Sequence, residues 1–88
     1  MSLSAGLCTL CGGGNIEFVT SEPSGIIVLL CDECFSMWLD PADLGTDNVF
    51  SAKDAATVIP GTSSTLQRSH DSTEDELEAR GWGEYVKT

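Results

Sequence analysis

Four cysteines fall into two identical pairs, Cys8 with Cys11 and Cys31 with Cys34. Each pair encloses two residues, and nineteen residues separate the pairs. Four thiolates at that spacing form the ligand set of a tetrahedral zinc ion. Each pair can wrap the ion in a tight turn whose backbone N–H groups point at sulfur. Gly12, directly after the first pair, supports such a turn. A closed four-sulfur site leaves no position for water, so its role is structural rather than catalytic.

Other thiol chemistries fit less well. Disulfide frameworks belong to exported chains. The opening residues "MSLSAGLCTLCGGG" carry neither a basic n-region nor a sustained apolar h-region. No run has the length of a membrane span. A cytoplasmic location with reduced thiols is therefore expected. A thioredoxin-like redox motif needs one pair beside a βαβ pattern, and neither condition holds. A rubredoxin-like iron site for electron transfer uses the same two-pair arrangement, so iron is the alternative cofactor. Such iron knuckles carry Gly after each pair, where this chain places Phe35 after Cys34.

The elements that must bring the pairs together lie between them. "IEFVT" (Ile16 to Thr20) and "IIVLL" (Ile26 to Leu30) read as strands. "SEPSG" between them reads as a five-residue turn, giving a β-hairpin. The second strand is apolar on both faces, so cover is expected on both sides. The fold class that follows is a small metal-stapled α+β domain. It is a hairpin between two cysteine knuckles, plus a short C-terminal helix. A chain of 88 residues buries little apolar area, which makes a metal staple valuable.

Residues 1–45 form the expected ribbon. Residues 46–60 connect it onward. There, "VFSAKDAATVI" could be a short helix capped by Ser51 with Asp54 as its weak box partner, or Val58 and Ile59 could make a third strand. Pro60 and Gly61 break what precedes them. Residues 61–72 are rich in Ser and Thr and read as a linker. In 73–88, Thr73 and Glu76 have capping-box spacing, and acidic residues fill the first turn. Gly81 marks the helix stop. Leu77, Trp82, Tyr85 and Val86 are its apolar anchors, with packing on the hairpin as their default role. Trp82 and Tyr85 are also candidate partner contacts, since such aromatics often dominate interfaces.

Charge narrows the choice of partners. There are 14 acidic and 4 basic residues, a net charge of -10. Phosphate recognition needs clustered Lys and Arg. Lys53, Arg68, Arg80 and Lys87 are scattered. Nucleic acid and anionic membranes are therefore excluded as direct partners, and a basic protein is favoured. His70, the sole histidine, has no cysteine nearby in sequence and reads as a surface residue. "GGG" (Gly12 to Gly14) lacks the Lys and the helix of a phosphate loop. No acid–base constellation for an enzyme emerges.

The arrangement "CTLCGG…CDECFSMWLDPADL" resembles the transcription-factor-IIB-type zinc ribbon of many small bacterial proteins. The likeness covers residues 8 to 44. The family's Trp-Leu-Asp signature with a following acid and Leu corresponds to Trp38, Leu39, Asp40, Asp43 and Leu44. The chain departs from it at Phe35 and Ser36, where Gly-Gly is usual, and at Thr9, where Pro is usual. The resemblance implies a zinc-ribbon fold and leaves activity open, since such ribbons serve many roles. Trp38 and Leu39 are expected beside the metal, and Asp40 and Asp43 solvated or capping the next turn. Asp40 and Asp43 are also candidate partner contacts. The function expected is that of a non-enzymatic zinc module with an acidic surface, in its sharpest form an inhibitor or immunity protein for a basic partner. The alternatives are an accessory ribbon in transcription acting by protein contacts, or the iron carrier.

Overall fold

A computed structural model describes residues 3–22, 24–52 and 58–86. The expected hairpin is its spine. Strand β2 (Asn15–Ser21) pairs antiparallel with β3 (Ile26–Cys31) over six residue pairs, from Ile16 opposite Cys31 to Ser21 opposite Ile26. Gly25 closes the turn at φ 76° and donates its N–H to the Ser21 carbonyl. A side chain with a β-carbon would be strained there.

Strands β1 (Ser4–Leu7), β4 (Ser36–Trp38), β5 (Phe50–Ser51) and β6 (Ser69–Asp71) complete one antiparallel sheet in the order β1-β2-β3-β4-β5. β6 also pairs with β2, beside Val19 to Ser21, whereas β1 occupies the stretch from Asn15 to Glu17. The two short strands thus share one edge of β2. Phe18 lies between them, donating its N–H to Leu3 and accepting from Ser72. An open strand edge invites pairing with another chain, and this division closes it.

Strand alternation sends side chains to two faces. On one face Ile16, Phe18, Ile27, Leu29 and Trp38 pack with Cys8 and Cys31 and with Leu77 and Trp82. On the other, Val19, Val28 and Met37 pack with Ala52, Ile59 and Leu66. The expectation from the doubly apolar β3 is met, because each face has its own cover.

Helix α1 (Glu74–Arg80) covers the first face. Thr73 and Glu76 form the capping box, and Gly81 ends the helix at φ 76°. Leu77 is fully buried. Trp82 meets Phe18 with ring centroids 6.5 Å apart, and the Arg80 guanidinium lies 4.5 Å over its ring. Trp82 therefore takes the packing role in this cluster. Tyr85 is half-buried against the same cluster.

Two expectations need correction. The stretch from 61 to 72 is not a linker. It supplies β6, the buried Leu66 and the buried Ser72. Its hydroxyls satisfy local backbone, Thr62 Oγ1 and Ser69 Oγ donating to the Ile59 and Leu66 carbonyls, and the Ser72 hydroxyl lies 2.7 Å from that of Thr20; in return its Thr65 carbonyl accepts from Ser21 Oγ. Small polar side chains suffice because β6 is an edge strand held by its backbone. The helix expected near Ser51 and Asp54 falls largely on residues 53–57, outside the described residues, while Ser51 itself lies in β5. Val58 forms an isolated bridge to Thr65 rather than a third strand.

His70 is on the surface, as expected, but engaged. Its Nδ1 is 2.6 Å from a Glu22 oxygen, and its Nε2 is 3.0 Å from Glu76. An imidazole can donate from both nitrogens only as a cation. The carboxylates of Glu22 and Glu76 raise its pKa. The Thr73 N–H, and then His70, lower that of Glu76. A raised folded pKa gives stability that is complete below the ordinary imidazole range and lost as pH rises through the folded value. The lowered Glu76 loses its share as pH falls through its own folded value. The latch is strongest in mildly acidic solution.

Replacing Trp82 by Ala should destabilise the fold by about 3 kcal/mol or more, read from denaturant unfolding. A loss below about 0.5 kcal/mol, the range of surface substitutions, would put Trp82 outside the core. His70→Gln should flatten the decline in melting temperature as pH rises from the ordinary imidazole range upward. An unchanged slope would show that the two ion pairs contribute nothing.

Candidate metal centre

The first knuckle begins where β1 ends. Cys8 donates its N–H to the Gly14 carbonyl, and Gly12 donates to the Cys8 carbonyl, closing a tight turn over residues 8–14. Gly12 holds φ 71°, the left-handed conformation glycine adopts without strain. The second knuckle begins at the end of β3. The register that sets Ile16 opposite Cys31 carries it directly to the first. Asp32 fastens the two together, donating its N–H to the Asn15 carbonyl and accepting the Asn15 N–H at its Oδ1.

The four Sγ atoms consequently lie within 4.8 Å of one another. Cys8 and Cys34 sulfurs are 3.7 Å apart, and those of Cys11 and Cys31 are 3.6 Å apart. All four are free thiols. A tetrahedron with metal–sulfur arms of ~2.3 Å has edges of about 3.8 Å, so the donor set fits one zinc-sized ion. Among the described residues this is the group of side chains arranged to hold a metal.

The environment of the sulfurs divides inside from outside. Cys8 and Cys31 are buried, Cys34 is half-buried and Cys11 is exposed. Burial pushes the Cys31 thiol up to about 12, opposed by the N–H groups of Cys34 and Glu33. Those two groups reach its sulfur at 3.4 Å each. Ser36, through hydroxyl and backbone, draws Cys34 down to about 6. The N–H groups of Gly13 and Gly14 lower Cys11. The expected pattern of backbone N–H groups aimed at sulfur is present in both knuckles. A bound cation would hold all four sulfurs as thiolates, Cys31 included, because the charge it neutralises is the one burial opposes.

The other predicted site residues sort by location. Trp38 packs with Cys8 and Cys31, as expected. Leu39 does not, because strand alternation turns it to the opposite cluster with Met37 and Leu66. Asp40 is exposed and caps the 3-10 turn Pro41–Asp43 by accepting the Ala42 N–H. Asp43 is half-buried, and its Oδ1 accepts from the Asn48 amide. Both serve the turn after the second knuckle, and neither approaches Trp82 or Tyr85 in any described contact.

Gly14 is the residue that sequence reasoning missed. A β-carbon there would lie 2.7 Å from the Cys31 sulfur, 2.8 Å from Asp32 Oδ1 and 2.9 Å from Glu33 Cγ. The signal was the length of "GGG", since the turn itself requires glycine only at Gly12. Comparison of the chain with known protein families, with curated proteins and with solved structures finds no match.

Gly14→Ala should weaken zinc affinity by about tenfold or more, measured by competition with a chromogenic chelator. Gly13→Ala, whose new β-carbon would meet nothing closer than a Glu33 oxygen at 4.0 Å, should bind as the parent does. Equal affinities for the two variants would contradict the close packing of the knuckles.

Proposed function

We propose that this chain is a non-enzymatic zinc-ribbon module that recognises a basic protein partner through its acidic surface. The observation that carries the metal half is the set of four sulfurs within 4.8 Å, one pair before β2 and one at the end of β3. Four protein ligands leave no open position on a tetrahedral ion, which supports a structural role. The resident ion is zinc, with iron as the alternative that the same sulfurs accept. His70, the sole histidine, has both nitrogens engaged by carboxylates, which leaves neither free to take a substrate's proton.

Support for the partner half is electrostatic. The net charge is -10. Exposed carboxylates at Asp32, Glu33, Asp40, Asp47, Glu74, Asp75, Glu78 and Glu84 spread over the knuckles, the turns and the helix. Such a surface raises the encounter rate with a basic protein and disfavours phosphate backbones and anionic lipid. Among the described residues no helix is long and apolar enough to cross a membrane. The sharpest form of the proposal is a mask for a basic enzyme or toxin.

The test is purification from native cells at low ionic strength, followed by metal analysis and washing at rising salt. A colourless protein with one zinc per chain, holding a basic protein that leaves as salt rises, is the expected result. A red protein with iron would favour the electron carrier, and retention independent of salt would contradict recognition by charge.

A further inference from the structure

One residue directly follows each cysteine pair: Gly12 after Cys11, and Phe35 after Cys34. Both take the left-handed backbone conformation, with φ 71° and φ 58°. Glycine adopts it freely, and a residue with a β-carbon is strained in it. The two knuckles thus make the same geometric demand, and the chain answers it with the unstrained residue once and with phenylalanine once. Phe35 is the only non-glycine residue with positive φ among those described.

Packing does not account for that choice. Phe35 is 42% exposed and belongs to neither apolar cluster. Its one described backbone bond, the carbonyl accepting the Ala52 N–H at 2.8 Å, needs no particular side chain. Strain kept at an exposed aromatic is the pattern of a contact residue.

Phe35 has apolar company. Leu10, between the cysteines of the first pair, is 57% exposed, and Leu7, just before it, is 68% exposed. Leu7 pairs with Asn15, Ile16 with Cys31 and Leu30 with Met37, so Leu7, the first knuckle with Leu10, and Phe35 just before β4 all stand at the end of the sheet opposite the Gly25 turn. Asp32 and Glu33, inside the second pair, are exposed beside them. Four thiolates around a divalent ion add a local charge of about -2.

We infer that Phe35, Leu10 and Leu7 form an apolar docking tip for a protein whose complementary socket is rimmed by Lys and Arg, a claim that rests on the interaction-module reading above. The acidic rim selects that occupant. A second copy of this chain would bring like charges against each other, and an anionic membrane or nucleic acid would be repelled. The apolar tip supplies the contact energy, and the carboxylates supply orientation and encounter rate.

The test uses the zinc-loaded chain, its Phe35→Gly and Leu10→Ser variants, and two synthetic peptides of equal charge. One peptide alternates Lys with Leu, and the other contains Lys as its only side-chain type. Backbone-amide shifts locate binding. The Lys–Leu peptide should perturb residues 7, 10, 32, 33 and 35, and should bind about tenfold more weakly to either variant. The all-Lys peptide should bind several-fold more weakly to the parent. Phe35→Gly should keep one zinc per chain and melt no lower than the parent, since it relieves backbone strain. A lower melt in that variant would make Phe35 a structural residue and overturn the inference. So would equal binding of both peptides, shifts spread across the molecule, or self-association of the parent lost in Phe35→Gly. Salt-sensitive binding centred on another face would overturn the docking tip alone, whereas no salt-sensitive binding by either peptide would remove the acidic-partner reading with it.

Discussion

Everything in this structure depends on bringing four sulfurs to one point, two of them out of water. Buried thiols are ordinarily neutral, and four neutral thiols have little reason to gather. A cation reverses that preference, because it favours the thiolates that burial opposes. The β2–β3 register is the mechanical counterpart. By placing Cys31 opposite Ile16, it delivers the second knuckle to the first without a long loop. A slip of one residue would turn Cys31 to the other face and dismantle the site.

The same register organises the rest of the chain. Cys8 and Cys31 are not merely candidate ligands but part of the cluster containing Phe18, Leu29, Trp38 and Trp82. The sulfur cluster and the packing of the C-terminal helix are therefore two parts of one core. The opposite face has its own cluster, built from residues far along the chain, Ile59 and Leu66 among them. A chain this short gains from covering a sheet twice, since single-faced burial leaves it marginal. The His70 contacts tie together the residue after β2, β6 and the start of α1, remote in sequence from the knuckles.

Much of this was legible because the signals were local. The cysteine spacing named the four sulfurs that gather, the turn at Gly25 and the flanking β-formers named the hairpin, and Thr73 with Glu76 named the helix start. The failures were of longer range. Nothing in "RSHDS" announces a strand, because β6 is held by backbone bonds to β2 and its side chains are solvent-facing. Leu39 was placed beside the metal because it is next to Trp38 in sequence, whereas strand alternation separates the two. Gly14 looked like surplus flexibility, and only the packing of one knuckle on the other shows why a β-carbon is excluded. The strain at Phe35 is likewise invisible in sequence, although its position after a cysteine pair was noticeable.

The most direct measurement of the central claim is the melting temperature of the intact chain across a series of buffered free-zinc concentrations. If zinc is held by the four thiolates only in the folded state, the midpoint climbs steadily with the logarithm of free zinc once the site fills. The climb should vanish in Cys31→Ser, which removes the buried ligand. A midpoint independent of free zinc, or an equal climb in Cys31→Ser, would contradict the account.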